Sequence, residues 1–336
     1  MQKNHCANLH AVGDLRYEEK EMPVCAENEV LLEVKACGIC GSDIPRVFTK
    51  GTYHFPTVIG HEFSGIVVED RSGEFTGKRA AVFPLLPCFA CEFCRNENYA
   101  ACKDYDYYGS RRDGGMAEYL AVKRWNLVLL PDNISYEEGA MCEPISVGRH
   151  AVKKLNIQKG DNVLISGAGP IGLIAGQWAK AEGAGEVYYF DIDARKIDFA
   201  KTLGFREYTG TEKIDCVIEG TGHSDAVRKC LEAVKPFGKV VLMGNPAGDV
   251  LFSQNTYWFI LRKELTVLGT WNSSFGESNN DWKESIKAVS EGLLNVKPLI
   301  SHRFPLSDSN KAFDMIKERK EFYNKVMLVM NGEDAK

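Results

Sequence analysis

Cys88, Cys91, Cys94 and Cys102 stand at the spacing C-x2-C-x2-C-x7-C. Short turns between such thiols can bring four sulfurs around one tetrahedral zinc at about 2.3 Å each. The chain carries 11 cysteines, and Met1 to Asp14 lacks the basic-then-apolar pattern of a secretory leader. Both point to a reducing compartment, where such a cluster binds metal instead of forming disulfides. Closely spaced thiols also suit an iron–sulfur cluster, but nothing else in the sequence suggests electron transfer, so zinc is the expectation. Four thiolates leave no open position for a substrate. This zinc is structural, and the chemistry sits elsewhere.

A second pattern holds a different group. Asn162-Val163-Leu164-Ile165-Ser166 is an apolar strand that runs into Gly167-Ala168-Gly169-Pro170-Ile171-Gly172 and then a helical run from Leu173 to Glu182. Strand, glycine turn and helix in that order are the context a dinucleotide fingerprint requires. Gly167 serves the tight turn, Gly169 the close approach of a pyrophosphate, and Gly172 the packing of helix on sheet. Pro170 and Ile171 open the helix whose N–H groups face the phosphates. Asp191, about 20 residues further on, ends the next strand, where a carboxylate accepts bonds from the adenosine ribose and repels a 2′-phosphate. NAD is therefore expected over NADP. Arg195 lies along the adenine edge or in solvent, or would hold a 2′-phosphate.

The third group is dispersed. Cys40 in Cys37-Gly38-Ile39-Cys40-Gly41-Ser42-Asp43, His61-Glu62 after Gly60, and Glu143 before Pro144 offer thiolate, imidazole and carboxylate. A catalytic zinc takes about three such ligands and keeps one position open. Each residue also has a plain structural use: a buried small thiol, a turn histidine, a carboxylate at a helix start. Ligands this far apart follow no spacing rule.

These groups need elements to position them. Val30 to Ala36, Ser64 to Glu69, Ala80 to Phe83 and Ala117 to Val122 read as short strands broken by Gly and Pro, which predicts a barrel-like β unit. After Pro144, strands at 162–166, 187–190, 215–219, 239–243 and 265–268 alternate with helical runs, which predicts a parallel sheet covered by helices. Residues 281–292 read as an amphipathic helix and 325–330 as a last strand, with nothing to fix where this tail packs. The length of 336 residues suggests about two domains, and 44% hydrophobic with 26% charged residues suits a soluble globular protein. A net charge of −5 argues against nucleic-acid or anionic-membrane partners, and no apolar run is long enough to span a bilayer. A cytoplasmic protein is expected.

Gly60-His61-Glu62, the four-cysteine lobe and the glycine fingerprint, in this order, resemble the zinc-dependent medium-chain alcohol and polyol dehydrogenases. The resemblance implies a GroES-like β catalytic domain over 1–147 and 271–336, with its zinc lobe near 84–106. It also implies a Rossmann NAD-binding domain inserted over 148–270 and an active site in the cleft. Two zinc ions per subunit and NAD follow from it. Cys40 and His61 would bind the catalytic zinc, with Glu143 or Glu62 as its carboxylate. Glu143-Pro144 is similar to the polyol branch. Gly41 to Phe48, Pro84 to Phe89 and Gly109 to Gly115 resemble, within that branch, dehydrogenases of hexitol phosphates such as galactitol 1-phosphate.

On that reading Ser42 accepts the substrate's hydroxyl proton and hands it to the nicotinamide ribose, unless it is only a turn residue. Many relatives carry a histidine two residues after the Asp of this motif. Here Pro45 stands there, so Glu62 is left to carry the proton outward. The stretch from Phe205 to Asp215 is short, which trims the element before the fourth strand. Arg46, Arg111 and Arg112 are candidates for a substrate phosphate, because a guanidinium pairs bidentately with its oxygens, or they make local caps and ion pairs. The apolar run Leu265 to Gly269 would be an uncovered sheet edge, which predicts a homodimer or homotetramer. Competing readings are a dehydrogenase of an unphosphorylated alcohol (sorbitol, butanediol or threonine type) and a non-catalytic NAD- and zinc-binding sensor or scaffold.

Overall fold

Residues 3–330 of the chain are described by a computed structural model. Two compact units result, residues 1–143 with 274–336 and residues 144–273. The sequence reading put these divisions at 147/148 and 270/271. The first one falls inside the opening turn of the helix Cys142–Leu155, where no turn signal marks it. Residues 1–2 and 331–336 of the expected catalytic domain lie outside the described residues.

The first unit is built on the strand Glu29–Ile39. Val30, Leu32 and Val34 alternate inward and are wholly buried, as a strand facing a core requires. It pairs antiparallel with Glu62–Glu69 and Tyr119–Lys123, and Arg79–Val82 and Leu127–Leu129 extend that sheet. The tail completes it. Lys325–Val329 pairs antiparallel with Glu29–Ile39, setting Val326 opposite Ile39, and parallel with Ile300–Pro305. A smaller sheet joins Asp14–Glu21, Lys3–Ala11 and Thr57–Val58. Phe63, Leu9, Val122, Phe313 and Leu328 meet in one core, where burial of each large apolar side chain contributes about 1.5–3 kcal/mol.

The second unit is a six-stranded parallel sheet in the order Arg206–Glu207, Val187–Phe190, Val163–Ser166, Ile214–Glu219, Val234–Leu242, Thr266–Gly269. Val163, Leu164 and Ile165 are fully buried, as a central parallel strand covered on both faces must be. The winding reverses at this strand, which makes its carboxyl end the switch point where such sheets bind ligands. Helices Pro170–Ala181, Ala194–Thr202, Ser224–Ala233 and Gln254–Arg262 connect the strands. Between Arg206–Glu207 and Ile214–Glu219 no helix intervenes among the described residues. Thr266–Gly269 is an edge strand, hydrogen-bonded on one side only, to Val234–Leu242. Among the described residues no helix is long and apolar enough to cross a membrane.

Candidate functional site

Cys88, Cys91, Cys94 and Cys102 bring their sulfurs within 4.8 Å of one another. The Cys91 and Cys94 sulfurs are 3.5 Å apart, and those of Cys88 and Cys94 3.8 Å. Backbone N–H groups point at the cluster: Cys91 donates to the Cys88 sulfur at 3.4 Å and Cys88 to the Cys102 sulfur at 3.3 Å. Such bonds favour thiolates. The N–H groups of Lys103 and Cys94 pull Cys91 down to about 6, whereas burial and the neighbouring thiols push Cys94 up to about 12. Four sulfurs this close cannot all ionise without a cation between them, so the donor set fits zinc. All 11 cysteines are free of disulfides.

The second cluster joins Cys40, His61 and Glu62, again within 4.8 Å, and it is more buried. Cys40 directly follows the strand Glu29–Ile39, and His61 directly precedes its antiparallel partner Glu62–Glu69, so strand pairing brings Cys40, His61 and Glu62 together. Asp43, fully buried, is the hub beneath. Its Oδ2 accepts from Cys40 N–H at 3.0 Å, its Oδ1 accepts from Arg46 Nη1 at 2.8 Å, and His61 Nδ1 lies 3.3 Å from Oδ1. That nitrogen lacks the alignment of a hydrogen bond, and among the described residues it has no other hydrogen-bond partner. Burial alone would lower the His61 pKa, yet the Asp43 carboxylate and Cys40 thiol hold it well above the usual range. Burial would likewise raise Asp43, but His61 brings it to about 2. The pocket favours positive charge, which fits a metal cation held by Cys40, by His61 through its other nitrogen, and by a carboxylate.

Two carboxylates compete for that role. Glu62 is in the cluster, but Lys325 Nζ donates to both its oxygens, at 2.8 and 2.5 Å, and also to the Ile39 carbonyl at 3.2 Å. Glu143 is outside the set of mutually close ligand atoms. It is 6% exposed. Burial pushes it up to about 7, with His61 opposing and Glu62 adding to the shift. Tyr107 packs its ring 5.8 Å from that of His61 and completes the wall.

Ser42 accepts a bond at its Oγ from Arg46 Nη1 at 2.9 Å, so Arg46 belongs to the Ser42–Asp43 network. Arg112 pairs with Asp106, and Arg111 packs on Tyr53 and Tyr105. Pro45 closes a helical turn, Asp43–Pro45, and has no side-chain donor or acceptor.

In the second unit Gly167 turns with φ +96°, and a Cβ on Gly172 would meet the Gly167 carbonyl oxygen at 2.0 Å. A Cβ on Gly169 would meet nothing, so the backbone there faces open space where a pyrophosphate fits. Pro170 begins the following helix and Ile171 follows it in the first turn. Asp191 accepts from Ala168 N–H at 2.8 Å and from Asp193 N–H at 2.9 Å, which holds its carboxylate against the glycine turn. Arg195 is engaged bidentately by Asp193.

Sequence reasoning missed Asp43 and Lys325 as parts of the site. Asp43 had a signal, three residues past Cys40 in the same motif. Lys325 had none, since it reaches Glu62 across 263 positions.

Residues 26–132 match the alcohol dehydrogenase GroES-like domain family, and residues 170–291 the zinc-binding dehydrogenase family. A galactitol 1-phosphate 5-dehydrogenase of Escherichia coli K12 is 37% identical over 87% of this chain and 90% of its own length. The crystal structure of galactitol-1-phosphate dehydrogenase from E. coli superposes with TM-score 0.90 at 35% identity, covering 97% of this chain and 99% of that one. An L-idonate 5-dehydrogenase of Vitis vinifera is 33% identical over 93% of this chain and 91% of its length. A sorbitol dehydrogenase of Bombyx mori is 32% identical over 94% and 96%.

Proposed function

The chain belongs to the zinc-dependent medium-chain alcohol and polyol dehydrogenases, and from that premise we propose that it oxidises a secondary alcohol of a hexitol phosphate, such as galactitol 1-phosphate, to the ketose phosphate with NAD. The observation that carries the chemistry is the Cys40–His61–Glu62 cluster, its histidine and glutamate buried, resting on Asp43. The substrate rests on the similarity to the E. coli enzyme.

Two zinc ions serve each subunit, a structural one at Cys88, Cys91, Cys94 and Cys102 and a catalytic one at Cys40, His61 and either Glu62 or Glu143. Zinc held at the second site supplies Lewis acidity that lowers the pKa of a substrate hydroxyl toward neutrality. Asp43 orients His61 for this ligation, as carboxylates behind metal-bound histidines do. Ser42, its Oγ fixed by Arg46, which Asp43 anchors in turn, accepts the substrate hydroxyl proton while passing its own to the nicotinamide ribose. Pro45 offers no exit for that proton, which leaves Glu62, clasped by Lys325, as the residue to carry it onward.

Gly167, Gly169, Pro170, Ile171 and Gly172 hold the dinucleotide, which supplies the hydride acceptor. Asp191 accepts from the adenosine ribose and repels a 2′-phosphate. Arg195, paired with Asp193, flanks the adenine. The enzyme works in the cytoplasm as a homodimer or homotetramer.

The sorbitol dehydrogenase relative favours a second reading, an unphosphorylated polyol. NADH formation at 340 nm, measured across paired free and phosphorylated hexitols, separates the two. A kcat/KM at least tenfold higher for the phosphate supports the first, and turnover of free hexitols alone supports the second.

A further inference from the structure

Three arginines are candidates for receiving a charged group on the substrate, and their surroundings separate them. Arg46 is taken up by Asp43 and Ser42. Arg112 directs Nε to Asp106 Oδ2 at 2.9 Å. Arg111 differs. Its guanidinium carbon lies 4.0 Å from the ring centre of Tyr53 and 4.5 Å from that of Tyr105. The phenols of Tyr53 and Tyr105 act on it through charge and hydrogen bonding, and among the described residues no carboxylate forms an ion pair with it. Its Nε is buried with no acceptor in hydrogen-bonding reach.

Aromatic rings hold a guanidinium by its flat faces, which leaves the N–H edge to meet an acceptor in the plane. A buried donor without a partner is unfavourable, and the matching acceptor for a planar fork is an oxyanion. The location suits a substrate. Arg111 N–H donates to the Tyr107 carbonyl at 3.0 Å, and the Arg111 carbonyl meets His54 Nε2 at 3.0 Å, so the backbone is pinned on both sides. Tyr105 meets Tyr107 edge-on with ring centres 6.3 Å apart, and the Tyr107 ring lies tilted 5.8 Å from that of His61. Arg111 thus stands on the segment that walls the Cys40–His61–Glu62 cluster, separated from His61 by two tyrosine rings. Two of the similar proteins are named for 5-dehydrogenation of an anionic polyol, one a phosphate ester and the other a carboxylate.

We propose that Arg111, held by Tyr53 and Tyr105, is the receptor for an oxyanion on the polyol, remote from the carbon that is oxidised, and that it determines specificity. The inference rests on the polyol reading above and assigns the charge to one residue.

The test uses the full, zinc-loaded chain and its Arg111→Gln and Arg111→Lys variants. It reads kcat/KM with NAD for galactitol 1-phosphate, L-idonate and galactitol, and calorimetric binding of the two anions without NAD. The unmutated enzyme should prefer one anion over galactitol. Arg111→Gln should cut that preference by roughly 10- to 150-fold, through KM and the calorimetric Kd more than kcat. Arg111→Lys should recover part of it, since it keeps the charge and loses the fork. The anion whose binding falls more tells phosphate from carboxylate. If the unmutated enzyme prefers an anion and Arg111→Gln keeps the preference, Arg111 is not the receptor and the anionic-polyol reading survives. Equal proportional loss for all three substrates, with a lowered unfolding midpoint, marks a structural role and overturns the inference. Equal use of all three by the unmutated enzyme, or of none, removes the substrate reading and the inference with it.

Discussion

Lys325 grips both carboxylate oxygens of Glu62, with side chains 4% and 0% exposed. The strand Lys325–Val329 thereby sets a cation against a member of the candidate metal cluster. Burial alone would lower the Lys325 pKa, but Glu62 raises it above the ordinary 10.5. Its contribution to stability is then fully present below about 10.5 and lost only as pH rises through the raised value, so the pair holds through the neutral range.

Removing one partner leaves a buried charge uncompensated. Lys325→Met should lower the unfolding free energy by about 3–5 kcal/mol, measured by urea denaturation of the zinc-loaded protein. The double variant with Glu62→Gln should recover most of the loss, because a neutral amide needs no counter-ion. A single variant as stable as the parent would mean that water or metal already neutralises Glu62.

The four-thiol lobe should be separable from the chemistry. Cys94→Ser should remove about one of two zinc equivalents by metal analysis and leave the other in place. If the lobe contributes about 2 kcal/mol, the melting midpoint falls by roughly 4–8 °C. Full zinc content with an unchanged midpoint would show that Cys94 is no ligand and would overturn the four-thiol site.

Local patterns were legible in the sequence because their physics is local. The C-x2-C-x2-C-x7-C run and the Gly167–Gly172 turn each close over a few residues, and the strands at 163–166 and 187–190 stand where their apolar runs end. The metal-ligand set was only half legible. Cys40 and His61 meet because two strands pair in one register, which no spacing encodes. The Lys325–Glu62 contact depends on the tail returning to Glu29–Ile39, and the tail's own sequence carries no sign of that destination. Arg46 reads in the sequence as a phosphate receptor or a local cap, and in the fold it is a network member, since one turn of helix sets it over Ser42 and Asp43.

Asp191 should set the choice of dinucleotide. Asp191→Ala should shift the NADP-to-NAD ratio of kcat/KM by roughly tenfold or more toward NADP, the worth of a charge-assisted bond. Part of the loss with NAD should come from the turn itself, because Asp191 also accepts from Ala168 N–H. Asp191→Asn, which keeps an acceptor oxygen and drops the charge, separates these effects: the turn should hold while the discrimination weakens. Steady-state kinetics with both dinucleotides is the measurement, and equal turnover by the unmutated enzyme would remove the role of Asp191.

The edge strand Thr266–Gly269 carries the prediction of assembly. Its outer side has no strand partner among the described residues, and Val267 and Leu268 are only half-buried. A bare apolar edge recruits a strand from elsewhere, and a two-fold axis through it would extend each six-stranded sheet into one continuous sheet with closed symmetry. Light scattering at micromolar concentration should report a mass of two or four chains. Leu268→Pro removes one backbone donor from the edge, and Val267→Lys places charge on it, a device that natural edge strands use to stay unpaired. Either change should shift the population toward single chains, and Val267→Lys should do so without altering the sheet's internal pairing. A single chain in the unmutated protein would rule out this edge as an interface.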